Sequence, residues 1–136
     1  MQKLNLSLVK LMVDHGERKA QEIGVPMVIT VVDNGGNLIA AHRMDDALLV
    51  SVDISLNKAW TSVAFKLPTS QLAEIGASGG ELYGINTTNN GRVVIFGGGI
   101  PLVVDGDIVG AVGVSGGSVN QDIEVAEAVV DALIMA

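Results

Sequence analysis

The chain has 136 residues, no cysteine, two histidines, and 15 acidic against 8 basic side chains, for a net charge of −7. That length suits one domain spanning residues 1–136, and a 49% apolar content with mean hydropathy +0.47 excludes a disordered chain. The missing cysteine excludes disulfides, zinc ribbons, iron–sulfur clusters and thiolate nucleophiles.

Leu4, Leu8, Leu11, Met12 and His15 recur at helical spacing and predict an amphipathic first helix, closed by Gly24 and Pro26. Val25–Asp33 and Leu38–Met44 read as two strands around the turn Asn34-Gly35-Gly36-Asn37. A second helix follows from Ser51 to Lys66, with Val52, Leu56, Ala59, Trp60 and Val63 on one face. A short helix runs from a capping Thr69 to Ile75, and residues 76–91 form a long polar loop. Arg92–Phe96, Ile100–Val104 and Ile108–Val114 read as three strands, the last two joined through Asp105-Gly106-Asp107. A final helix starts near Asn120. Adjacent hairpins without strand–helix–strand alternation predict an α+β fold, a five-stranded antiparallel sheet flanked by helices.

The charge is lopsided. Residues 1–68 hold seven basic and seven acidic side chains, whereas residues 69–136 hold Arg92 against eight acidic ones. Nucleic acid is therefore not an expected partner, because phosphate contacts require clustered Lys and Arg. No apolar run approaches the roughly 20 residues that span a bilayer. The early leucines are interrupted by Asn5, Ser7 and Lys10, with no small-residue cleavage site. Neither membrane nor secretion is expected, and a cytoplasmic location is. The last helix carries Ile123, Val125, Val129, Val130, Leu133, Ile134 and Met135 around more than one face, which predicts a homo-oligomer.

Few side chains invite chemistry. By helical phase His15 falls inside the apolar stripe, where a polar ring needs a partner. Spacing alone favours a core histidine bonded to a carbonyl, and the sharper reading is a neutral imidazole on a metal or haem iron. Gly16 beside it leaves room for something flat. His42 reads as a solvent-facing or half-buried strand residue, and Lys58 as part of a solvated helix face. Arg43 is either a clamp for an anionic ligand group or an exposed strand-end ion pair with Asp45. Gly113 inside a strand marks close approach by backbone or ligand. Ser115, Gly116 and Gly117 lead into a helix, where free N–H groups suit an anion, although a tight capped turn is the favoured reading. Glu124, Glu127 and Asp131 share a face that is either solvated or a weak metal site. No nucleophile–base–orienter set is visible, so catalysis has no positive support.

Several segments together resemble the GlcG/HbpS family, which includes the C-terminal domain of PduO-type cobalamin adenosyltransferases. They are Val31-Val32-Asp33 with Gly36-Asn37-Leu38, Arg43-Met44-Asp45, Lys58-Ala59, Phe65, Pro68-Thr69, Gly97-Gly98-Gly99-Ile100-Pro101-Leu102, and Val109 through Gly117 with Asp122. The resemblance spans nearly the whole chain. It implies a profilin/PAS-like sheet, homo-oligomers, and haem binding through a histidine on the first helix, a place that His15 occupies. Adenosyltransferase chemistry belongs to a separate domain and is not implied. The expected function is a haem- or tetrapyrrole-binding accessory protein, with Arg43 toward an anionic group of the ligand. The alternative is a metabolite-binding or enzymatic accessory protein of diol, glycerol or glycolate utilisation, its pocket built from residues 113–118 and 76–91.

Overall fold

A computed structural model describes residues 4–136. Helix α1 (Leu6–Ile23) leads into strands β1 (Val28–Asp33) and β2 (Leu38–Arg43). Helices α2 (Val50–Phe65) and α3 (Thr69–Ile75) follow, then β3 (Gly99–Val104), β4 (Asp107–Ser115) and α4 (Val119–Ile134). The sheet is antiparallel throughout, in the order β2-β1-β4-β3. Among the described residues no helix is long and apolar enough to cross a membrane.

The sheet has four strands, not five. Arg92–Phe96 was expected as a strand, but its polar groups turn toward α2 instead. The Thr61 hydroxyl donates to the Arg92 carbonyl and accepts the Val94 N–H, and Arg92 Nε donates to Asn57 Oδ1. The Arg92 guanidinium lies 4.3 Å from the Trp60 ring centroid. The backbone that would pair with a strand is thus held by helix side chains, and Gly97-Gly98-Gly99 swings it into β3.

Turn chemistry behaves as the sequence suggests. Asp105 and Gly106 both have positive φ, as a two-residue hairpin between β3 and β4 requires. Asn5 caps α1 through its side chain, and Gly24 ends it in the left-handed region. Thr69 does not cap α3; its hydroxyl accepts the Gly99 N–H and anchors the start of β3.

The faces of two helices differ from expectation. On α1 the buried residues are Val9, Met12, Val13, Gly16 and Ala20, and Leu11 is 66% exposed. The small residues set the contact: a Cβ on Gly16 would stand 2.6 Å from a Val129 methyl, so this glycine brings α1 and α4 together and opens no space for a flat ligand. On α2 the buried residues are Ser51, Ser55, Lys58, Ala59, Thr61 and Ser62, while Val52 is exposed. The sheet beneath explains that choice. Gly113 and Gly99 are register partners on neighbouring strands. A Cβ on Gly113 would collide with the Ser55 carbonyl, and one on Gly99 would press on the Lys58 carbonyl. Helix backbone therefore rests almost on strand backbone, leaving room only for hydroxyls and methyls. Thr30 bonds Ser55 at 2.8 Å, and Ser115 bonds Ser51 at 3.1 Å.

The apolar core lies on the other face, where α1 and α4 cover Ile29, Val31, Val112 and Val114. Gly113→Ala should cost about 1–3 kcal/mol or more by overpacking, read as a lower denaturant midpoint in a chemical melt. An unchanged midpoint would show that α2 can lift away from the sheet.

Candidate functional site

His15 sits on α1 where that helix meets α4. Lys19 reaches Glu124 at 3.3 Å, and Gly16 packs on Val125 and Val129. Increasing residue numbers on α1 thus meet decreasing ones on α4, so the helices run antiparallel. Between them opens a groove of about 500 Å³, lined by His15, Arg18, Lys19, Glu124, Glu127 and Asp131 among others. The imidazole is half-buried at its edge, and among the described residues no hydrogen bond ties the ring down. It was expected inside an apolar stripe, but the groove around it is largely charged. The stripe of Glu124, Glu127 and Asp131 forms its far wall. Among the described residues no cluster of three or more ligating side chains is placed to hold a metal ion.

The other sequence-derived candidates lie elsewhere. Arg43 donates to the Ala47 carbonyl at 2.9 Å, closing the turn after β2. It borders a separate cleft with Glu17, Gln21 and His42, so His15 and Arg43 do not face one cavity. His42 Nδ1 meets Glu17 Oε1 at 2.6 Å and is partly exposed, as a strand-edge histidine should be. Gly113 and Ser115 lie beneath α2, and the close approach that Gly113 permits is that of a helix backbone. In the Gly116-Gly117 turn the Gly117 N–H already has an acidic partner. Gly117 donates to Asp122 Oδ1 at 2.9 Å, while Ser118 and Gln121 form a reciprocal capping box. The loop 76–91 contributes Asn86 and Gly91 to a groove with Asp53 and Asn57 on the outer side of α2.

The strongest electrostatic feature was read from sequence as a solvated lysine. Lys58 is fully buried, and it donates to Asp122 Oδ2 at 3.0 Å and to the Val114 carbonyl at 2.8 Å. Its ammonium lies 4.8 Å from the Phe96 ring centroid, so two oxygens and an aromatic face surround it. Burial lowers the Lys58 pKa and raises that of Asp122; the attraction between them opposes both shifts. Gly98, at φ +127°, belongs to the same cradle, because a Cβ there would stand 2.6 Å from Lys58 Nζ. A signal for this burial was present in the spacing: Ser51, Ser55, Lys58 and Ser62 fall on one helical face. Asp122 and Phe96 carried no comparable signal.

Similarity to known proteins follows this geometry. The family model described as "Haem degrading protein HbpS-like" matches residues 4–131. A protein of Citrobacter freundii, described as an uncharacterized 15.0 kDa protein in the dhaT-dhaS intergenic region, is 48% identical over 128 residues, covering 94% of this chain and 90% of that one. The corrinoid adenosyltransferase PduO of Salmonella typhimurium is 44% identical over 115 residues; the match covers 85% of this chain but only 34% of PduO. A crystal structure of a PduOC:haem complex superposes with a TM-score of 0.93 at 39% identity, covering 96% of this chain and 95% of that one.

The buried pair yields a stability measurement independent of any ligand. Lys58→Met leaves a carboxylate without its cation and should cost about 3–5 kcal/mol in a chemical melt. Asp122→Asn should cost a similar amount. The double variant, with no charge left inside, should be more stable than the sum of the two losses predicts. Strict additivity would mean that the charges do not interact.

Proposed function

The chain belongs to the HbpS-like family, and from that premise we propose that it is a haem-binding accessory protein in which His15 would hold the iron. The observation that carries this reading is the His15 imidazole, untied by hydrogen bonds and standing at the edge of a groove of suitable size. A neutral imidazole without a protein partner is free to offer a ring nitrogen to iron. The PduOC:haem complex supports the same reading through its close structural similarity.

The residues present fit the group in one respect and only half fit it in another. His15 supplies the donor. The groove is polar, with Ala128 its one apolar lining residue. The helical faces extend past His15 onto apolar ground, however. Leu11 lies one turn before His15 on α1, Ile134 ends α4 three residues beyond Asp131, and Met135 follows as its C-cap; all three are strongly exposed. A flat macrocycle would rest its apolar body there, with its carboxylates toward Arg18 and Lys19. When bound, haem supplies an iron centre whose ligation and redox behaviour the surrounding chain tunes. The part of this chain is to hold a ring nitrogen in place, to offer an apolar seat, and to set cations near the carboxylate edge.

Adding haemin to purified protein should shift the Soret band, and His15→Ala should abolish most of that shift. An equal shift in both proteins would remove His15 from the site.

A further inference from the structure

We propose that the groove along the free edge of β3 is a second ligand site, suited to a small organic ammonium with an apolar body. The groove holds about 350 Å³, a small-molecule volume, and its apolar wall consists of Pro68, Ile100, Ile123 and Val130. His15 does not line it, so the proposal stands apart from the haem reading. The two grooves share only Glu127 and Asp131, on the ridge of α4 between them.

The main chain at this edge offers acceptors. Strand β3 is the last in the sheet, and the Val114 N–H donates to the Gly98 carbonyl. In an antiparallel ladder Ile100 then faces β4 with its main-chain groups, whereas Gly99 and Pro101 turn theirs to the open side. The Gly99 N–H is taken by the Thr69 hydroxyl at 2.9 Å, and Pro101 has no N–H. Only carbonyls remain there. An added peptide strand needs donors from the edge as well, so it finds no ladder to join.

The side chains repeat the pattern. Glu127 and Asp131 lie four residues apart on one face of α4, and both are exposed. Among the described residues neither carboxylate has a salt bridge or a hydrogen bond, in contrast to Glu124, which holds Lys19. The one other polar side chain of the lining is the Ser70 hydroxyl, and no cation lines the groove. A primary ammonium brings three N–H donors and no acceptor, which matches two carboxylates and a carbonyl. Its carbon body would cover the apolar wall, which a bare inorganic cation would leave unused. The excess of eight acidic side chains over the single Arg92 in residues 69–136 draws cations to this half of the chain and repels anions.

The test is a ligand-observed NMR titration of the full chain in low-salt buffer, with hexylammonium as the probe. Saturable binding is expected below about 10 mM. Glu127→Gln and Asp131→Asn together, both at exposed positions, should weaken it about tenfold or more while circular dichroism stays unchanged. Methylammonium lacks the apolar body and hexyltrimethylammonium lacks the N–H donors; each should bind about fivefold or more weakly than hexylammonium. Absence of saturable binding would overturn the proposal. So would equal affinity in the wild type and the double variant, or equal affinity of hexylammonium and either control cation.

Discussion

The ammonium of Lys58 ties three layers of this fold together. It leaves α2 on one face of the sheet, donates to the Val114 carbonyl near the end of β4, and meets a carboxylate at the start of α4 on the opposite face. A lysine removed from water is costly unless its donors are occupied. Here the three N–H groups face a carboxylate, a carbonyl and the ring of Phe96. Asp122 also fixes the backbone of Gly117. One buried pair therefore positions the strand end, the turn and the helix start together. Pairs of this kind do not add much net stability; what this one supplies is registration of the two helical layers.

Much of the architecture was legible because it rests on local chemistry. Asp105-Gly106 demanded a tight hairpin, Gly24 with Pro26 demanded a helix end, and helix α3 appears over the residues assigned to it. Helix faces were harder to read, for a physical reason. Apolar periodicity assumes that the largest hydrophobic side chains point inward, yet α2 approaches the sheet over Gly99 and Gly113, too closely for leucine or tryptophan. Serine and alanine fill the gap, and Trp60 is left on the flank with Arg92. On α1 the same logic buries Gly16 and Ala20 and leaves Leu11 outside. The fifth strand failed because Thr61 and Asn57, on a helix more than thirty residues upstream, capture a β-rich segment. Such capture is invisible to any local window.

The candidate site was legible in part. His15 stood out as a polar ring among leucines, and it does line a groove, though a charged one. The glycine-rich 113–117 block looked like an anion cradle. It is one in a limited sense, since the anion it holds is a side chain of the same molecule. Arg43 was displaced from the picture by a turn carbonyl, a partner that sequence spacing does not display. The acidic stripe on α4 gained meaning only when the antiparallel packing set it opposite Arg18 and Lys19.

The glycine-paved contact under α2 has a consequence for where the molecule can bind anything. Two backbones in near contact, stitched by hydroxyls, leave no slack into which a cavity could grow, and enlarging any of these residues forces the layers apart rather than reshaping a pocket. That half of the domain behaves as a rigid floor. Variation that tunes affinity or admits new guests is therefore kept out of this seam and left to the exposed grooves, where side chains protrude into solvent and can be exchanged without disturbing the frame.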